Sequence, residues 1–333
     1  MWFNQVKNER TDVSHLLASL HSDGVHVGMP ELMNYQSKSS LIAFHTTKNL
    51  HGRMSGNYLA RSKGRGMEFD EVRHYQIGDD IRAIDWRVTA RTGETYTKLF
   101  REEIERPVIL ATDLSRNMLF GSKLLFKSVQ ASHIAALVAW HAKKRGDRVG
   151  GVVFNDNQHS ELKPRSRQKG VLHYLHAIEM MHHQSLASMN DAIVHTQAEQ
   201  AFAENCLRLR QIAKPGSLVY LISDCFHLTQ EAVRHLSHVS RHCELIVCLV
   251  TDPLERELPS TQNKLNVSIT DGVQTQKFTL GDTSVHQQYA QQAQTLISEK
   301  ADALKTAGAR ILSFCTSETL ENQLKNGDNT WIR

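Results

Sequence analysis

The stretch Val108-Ile109-Leu110-Ala111-Thr112-Asp113-Leu114-Ser115-Arg116-Asn117 decides the fold. Its first four residues are apolar without interruption. A strand with one wet face would alternate, so this run reads as a strand covered on both faces, the habit of parallel sheets. It stops at Asp113. Lys123 to Arg145 follows as a long helix, closed by Gly146 just past its end. A buried strand feeding a long helix is the repeating unit of a doubly wound α/β domain.

The unit recurs downstream. Arg148 to Phe154 reads as a strand, Asn155-Asp156-Asn157 as a turn, and His159 to Lys163 as an antiparallel edge. Helices are expected over Gly170 to Met181 and Asp191 to Ile212, the second stopped by Pro215-Gly216. Leu218-Val219-Tyr220-Leu221-Ile222 is the strongest buried strand and ends at Ser223-Asp224. A helix from Thr229 to Arg241 leads to the strand Leu245 to Val250, ending at Thr251-Asp252-Pro253. Leu265 to Thr270 and Val273 to Leu280 flank Asp271-Gly272, a hairpin turn. Thr283 to Ala307 reads as a helix and Ile311 to Phe314 as a last strand. Residues 107–333 are therefore expected to form a doubly wound, mostly parallel sheet.

Upstream the texture differs. Residues 51–106 hold eleven Lys/Arg against ten Asp/Glu and read as a small, β-rich, self-neutralising subdomain. Residues 1–50 read as a helical extension, with Val13, Leu16, Leu17 and Leu20 on one face of a short helix.

Composition narrows the function. The 333 residues carry 39 basic and 35 acidic side chains, net +4, which argues against a dedicated nucleic-acid binder. The five cysteines form no CxxC and read as reduced, buried thiols. No signal core and no membrane-length apolar run is visible, so a cytoplasmic protein without membrane insertion is expected. The nineteen histidines are scattered. There is no G-x-S-x-G, HExxH or Walker A lysine.

In doubly wound sheets, ligands bind beyond the carboxyl ends of the strands. Here those ends carry Asp113, Ser115 and Asn117, then Ser223-Asp224, then Thr251-Asp252. Two carboxylates with hydroxyl neighbours suit a hard cation such as Mg²⁺. A strand-end Asp that merely caps the next helix is the simpler alternative for any one of them.

The Asp-x-Ser loop before a helix, with a distant strand ending in Ser-Asp, resembles the metal-ion-dependent adhesion site of von Willebrand factor type A domains. The segment Gly64 to Arg87, containing Arg73-His74-Tyr75-Gln76-Ile77-Gly78-Asp79-Asp80-Ile81-Arg82-Ala83-Ile84-Asp85-Trp86-Arg87 and continued by Val88-Thr89-Ala90-Arg91, resembles the signature of the domain of unknown function fifty-eight family. Asp252-Pro253-Leu254-Glu255-Arg256-Glu257-Leu258-Pro259 matches that family too. The resemblance implies a type A-like fold, a small signature subdomain, and association with MoxR-type AAA+ ATPases as an adaptor or chaperone-like partner.

The resemblance also implies Mg²⁺ or Mn²⁺ at Asp113, Ser115, Asn117 and Asp224, with Ser166 as the weakest candidate ligand. Asn117 stands where the adhesion pattern has Ser, and the Pro164–Lys169 loop has no Thr. Lys163, Arg165, Arg167, Lys169 and Arg116 bring positive charge. A metal-free or weakly metal-binding site is therefore expected, with an arginine in the cation position. In the signature, Arg73, Asp79, Asp80, Arg82, Asp85, Arg87 and Arg91 read as interlocking pairs around a core of Tyr75 and Trp86; a partner-binding surface is the alternative. The leading reading is a non-enzymatic protein-interaction module. A metal-dependent hydrolase using the same carboxylates, with His227 as base, is one rival, and a structural component with a vestigial site is another.

Overall fold

The computed structural model describes residues 13–41, 67–102, 106–189, 195–259, 265–270 and 275–325. Contacts divide the chain into a larger unit, residues 1–43 with 106–333, and a smaller unit, 44–105.

The larger unit is built on a six-stranded sheet of order β5-β4-β3-β6-β7-β10. Its strands are β3 (Pro107–Asp113), β4 (Arg148–Phe154), β5 (His159–Arg165), β6 (Leu218–Ser223), β7 (Glu244–Thr251) and β10 (Arg310–Cys315). All neighbours pair in parallel except β4 with β5, which are antiparallel. The helices of this unit include α1 (Met29–Lys38), α3 (Lys127–Lys144), α4 (Arg167–Ala187), α5 (His195–Ile212), α6 (Gln230–Ser240), α7 (Thr283–Thr306) and α8 (Leu320–Lys325). Strands β8 (Leu265–Thr270) and β9 (Thr275–Leu280) pair as an antiparallel ladder; the Asp271-Gly272 turn lies outside the described residues. The sheet and the α/β alternation agree with the sequence reading. So does the continuous burial of β3, β6 and β7.

Helix α3 is buried on nearly all sides, from Lys127 to Ala142. It starts four residues later than its sequence suggested. Residues 13–20 are helical and, with α1, fall in the larger unit. Trp140 Nε1 donates to Leu32 O at 3.1 Å, and the buried His133 meets Glu31 beneath the Tyr35 ring. All five cysteines are free. Among the described residues, no helix is long and apolar enough to cross a membrane.

His182 of α4 is fully buried against α3, where its Nε2 lies 3.1 Å from Ser128 Oγ. Burial pushes its pKa down from 6.5 to about 4. The folded protein thus resists a proton that the unfolded chain accepts below pH 6.5. The stability carried by neutral His182 is present above pH 6.5 and is lost as pH falls toward 4, at about 1.4 kcal/mol per pH unit. His182→Gln should therefore cost most near pH 7.5, and the gap to the parent should narrow by about 2–3 kcal/mol near pH 4.5. Paired urea melts at the two pH values measure this. A gap independent of pH would refute it.

The smaller unit contains β1 (Met67–His74), α2 (Trp86–Thr92) and β2 (Tyr96–Glu102). β1 and β2 pair antiparallel, with an irregularity between Phe69 and Glu71. Arg73 pairs with Asp79 at 2.8 Å. Asp80 and Asp85 serve the backbone, and Asp85 also faces Lys98 Nζ at 3.7 Å. Asp80 accepts from Arg82 N–H and Asp85 from Arg87 and Val88 N–H. Arg82, Arg87 and Arg91 are exposed, as is Trp86. The expected lattice of interlocking pairs around a Trp86 core is therefore not what forms. Short-range N–H groups reach these carboxylates before any guanidinium does.

Candidate functional site

Strand order reverses between β3 and β6, which makes their carboxyl ends the topological switch point where such sheets bind ligands. Asp113 ends β3 and Asp224 follows β6, so both acids meet at this crevice. Ser223, the residue before Asp224, donates its hydroxyl to Asp113 Oδ2 at 2.6 Å. Asp113 Oδ1 accepts from Ser115 N–H at 2.9 Å. Burial, and then the neighbouring Asp224 charge, push the Asp113 carboxyl up to about 7. The Ser115 hydroxyl is buried beside it with no full hydrogen bond.

Asp224 is held differently. Its Oδ1 accepts from Phe226 N–H at 2.9 Å and its Oδ2 from Lys127 Nζ at 2.5 Å. Burial, the largest single effect, would raise its pKa, but the charge and hydrogen bond of Lys127, the Phe226 N–H and the Lys300 charge together hold it below the usual range. Lys127 Nζ also donates to Glu255 Oε1 at 2.5 Å, and its side chain is 2% exposed. Burial opposes its charge; Asp224 and Glu255 together keep it charged. Glu255 comes from the Asp252-Pro253-Leu254-Glu255 motif. Its second oxygen accepts from Asp252 N–H at 3.0 Å, closing a capping box. Asp252 in turn takes Ser122 N–H at 2.8 Å and the Thr316 hydroxyl at 2.6 Å. The three loops beyond β3, β7 and β10 are thereby tied together.

Asn117 Nδ2 lies 3.1 Å from His227 Nε2, so this amide faces the histidine rather than a shared centre with Asp113. Ser166 is not at the site. Strand β5 runs antiparallel, Arg165 pairs with Val149, and Val149 pairs with Val108 at the amino end of β3. Ser166 therefore lies near the opposite end of the sheet, roughly 20 Å from Asp113 at ~3.3 Å per residue. Arg165, Arg167 and Lys169 go with it. The cation held between the carboxylates is Lys127, not an arginine, and no motif in the sequence marks it.

A divalent ion fits this arrangement poorly. Lys127 Nζ already holds Asp224, one of the two candidate carboxylates, together with Glu255, so Asp224 would have to give up the ammonium to turn toward a metal. Among the described residues, no three His, Cys, Asp or Glu side chains converge as a ligand set. Cys225 is no nucleophile: burial, then Asp224, push its thiol up to about 12. It adopts φ 50, a left-handed conformation that costs a non-glycine residue energy. Its neighbour Phe226 stands 52% exposed, with Lys300 Nζ 5.2 Å from its ring centre.

Fold and site together define a doubly wound α/β protein with a lysine-neutralised carboxylate cluster at its switch point. The chain belongs to the DUF58 family, described as a protein of unknown function, whose model matches residues 71–298. Uncharacterized proteins of Mycobacterium bovis and Mycobacterium tuberculosis are 28% identical over 269 residues, covering 81% of each chain. The crystal structure of a conserved hypothetical protein, BatB from Bacteroides thetaiotaomicron, is similar at 14% identity and TM-score 0.35, over 61% of this chain and 98% of that one. An aerotolerance-related membrane protein from Bacteroides fragilis is similar at 15% identity and TM-score 0.40, over 68% and 98%.

Proposed function

We propose that the chain is a non-enzymatic protein-interaction module: a von Willebrand factor type A-like domain whose strand-end face docks a protein partner. Following the family resemblance, that partner is a MoxR-type AAA+ ATPase, served as an adaptor or chaperone-like subunit. The observation that carries the reading is the closed state of the cluster. Lys127 already answers Asp224 and Glu255, and Asp113 is answered by Ser223 and the Ser115 amide. Metal-assisted hydrolysis needs an open coordination position and a free base instead. A cluster closed on itself fixes the shape of the surrounding loops, which is what a docking face requires.

Phe226 supplies the anchor. It is a large aromatic held outward by a loop whose every turn is bonded: Cys225 N–H to Ser223, Phe226 N–H to Asp224, and Lys300 Nζ to Asp224 O. Exposed aromatics on rigid loops dominate interface energies because little entropy is lost on docking. Phe120, 40% exposed in the loop after β3, adds apolar area.

Capture of a purified MoxR-type ATPase on the immobilised chain tests the proposal. Phe226→Ala should weaken capture about tenfold or more, the loss of one hot-spot residue, with an unchanged melting temperature. Asp113→Ala and Asp224→Ala should weaken it as well. Undiminished capture by all three variants would sink the reading.

A further inference from the structure

The most specific motif of the chain is one the strand-end cluster does not use. In the smaller unit the signature divides its side chains by chemistry. Its carboxylates are spent on the fold: Asp79 takes Arg73 and the Gln76 N–H, Asp80 the Arg82 N–H, and Asp85 the start of α2. Several of its apolar and cationic groups are left in water. Ile77 is fully exposed, Ile81 is 65% exposed and Trp86 66%. Arg82, Arg87 and Arg91 are exposed, and among the described residues they form no ion pair. Arg87 and Arg91 lie four apart on α2 and share a face.

Single exposed apolar residues need no explanation, but here two exposed isoleucines and an exposed tryptophan fall within ten residues of chain. Tryptophan and arginine are the side chains most enriched at interface hot spots. The turn that carries them is pinned, because the Asp side chains bond backbone N–H groups within two or three residues. A pinned segment that exposes apolar side chains together with guanidinium groups in no ion pair is complementary to an acidic segment with an apolar anchor.

We propose that the surface of Ile77, Ile81, Trp86, Arg82, Arg87 and Arg91 docks an acidic, amphipathic segment of a partner protein. Guanidinium forks pair its carboxylates while Trp86 and the isoleucines cover its apolar face. The alternative basic-patch ligand, nucleic acid, is disfavoured by the two isoleucines. They offer no stacking surface, and single-stranded nucleic acid is held mainly by aromatic stacking along a cationic groove. This docking does not depend on the strand-end reading.

The test uses the full chain labelled with 5-fluorotryptophan, the Trp86 signal being assigned with Trp86→Phe. The probes are a helical peptide of glutamate and leucine, a matched peptide of lysine and leucine, and a single-stranded oligonucleotide. The acidic peptide should move the Trp86 fluorine signal and bind at least tenfold tighter than the basic one. Its affinity should fall with added salt. The charge reversal Arg82→Glu/Arg87→Glu/Arg91→Glu changes only exposed positions; it should keep the parent melting temperature and invert the preference. Equal binding of both peptides, a stationary Trp86 signal, a preference that survives the reversal, or tighter binding of the oligonucleotide would each overturn the proposal.

Discussion

Lys127→Met should destabilise the larger unit by about 3–5 kcal/mol, the range for stripping one partner from a buried ion pair. The substitution keeps the length and apolar stem of the side chain, so little packing is lost. What it removes is the charge that allows Asp224, 5% exposed, to stay ionised where it is buried. Glu255 suffers less, because its side chain is 34% exposed and can turn to water. The orphaned carboxylate is thus Asp224, and neutralising it should recover much of the loss. Lys127→Met/Asp224→Asn is expected to regain at least half, since a buried pair replaced whole costs far less than a pair half removed. Urea midpoints for the parent, both single variants and the double variant complete the cycle. Millimolar Mg²⁺ should leave the parent's midpoint unmoved, because ligand stabilises only where it binds the folded state. A Lys127→Met midpoint within about 1 kcal/mol of the parent would show that the ion pair carries no such weight.

That lysine was the part of the site hardest to see in the sequence. The acids at 113 and 224 were legible because each ends a continuous apolar run, and the geometry of parallel sheets sends such ends to one crevice. Lys127 had no comparable signal. Helix α3 is buried on nearly every side, so its polar residues Lys127, Gln130, Ser132 and His133 break no amphipathic pattern; there is none to break. The helix also begins at Lys127 rather than Lys123. The Lys127 N–H bonds back to Phe120 O, an arrangement set by the preceding loop and not by propensity. A lysine in the first turn even opposes the helix dipole, a local cost repaid only by carboxylates distant in sequence.

Two other departures have different origins. Ser166 was misplaced although its position was implied: an edge strand that pairs antiparallel must carry the chain back to the amino ends of its neighbours. The turn at Asn155-Asp156-Asn157 is legible in the sequence, and the antiparallel strand it starts carries residues 164–169 away from the carboxyl ends. In the signature the alternation of Arg and Asp suggested pairs. Asx-type bonds at a separation of two or three residues have lower entropic cost than any side-chain pair, and they captured Asp80 and Asp85 first. Composition alone cannot rank those competitors. Trp86 stays exposed, and the Arg–Asp pairs expected around it do not form, because Asp80 and Asp85 bond backbone N–H groups instead.

The central strand pair rests on a glycine that should tolerate nothing larger. Gly151 has φ 150, and a Cβ there would lie 1.8 Å from Leu110 O and 2.7 Å from Leu110 N. Both contacts are backbone of β3, the neighbouring parallel strand, so no rotamer can relieve them. Gly151→Ala should therefore cost more than about 4 kcal/mol, within the class of substitutions that disrupt a domain. Gly146 provides the control. It also has positive φ, at 84, but a Cβ there meets nothing within 4 Å. Gly146→Ala should cost about 1 kcal/mol, the conformational penalty alone. The difference between the two isolates the close approach from the backbone angle. It also reaches the site, because the Tyr174 hydroxyl donates to Leu110 O at 3.1 Å and lies 2.8 Å from Thr112 Oγ1, one residue before Asp113. If Gly151→Ala folds, the displacement of β3 at Leu110 should loosen that register and lower the Asp113–Ser223 bond's protection against hydrogen exchange at the Ser115 and Cys225 amides. Equal melting temperatures for the Gly146 and Gly151 variants would mean that β4 can slide away from β3 without penalty, and the parallel core could not then be what aligns Asp113 with Asp224.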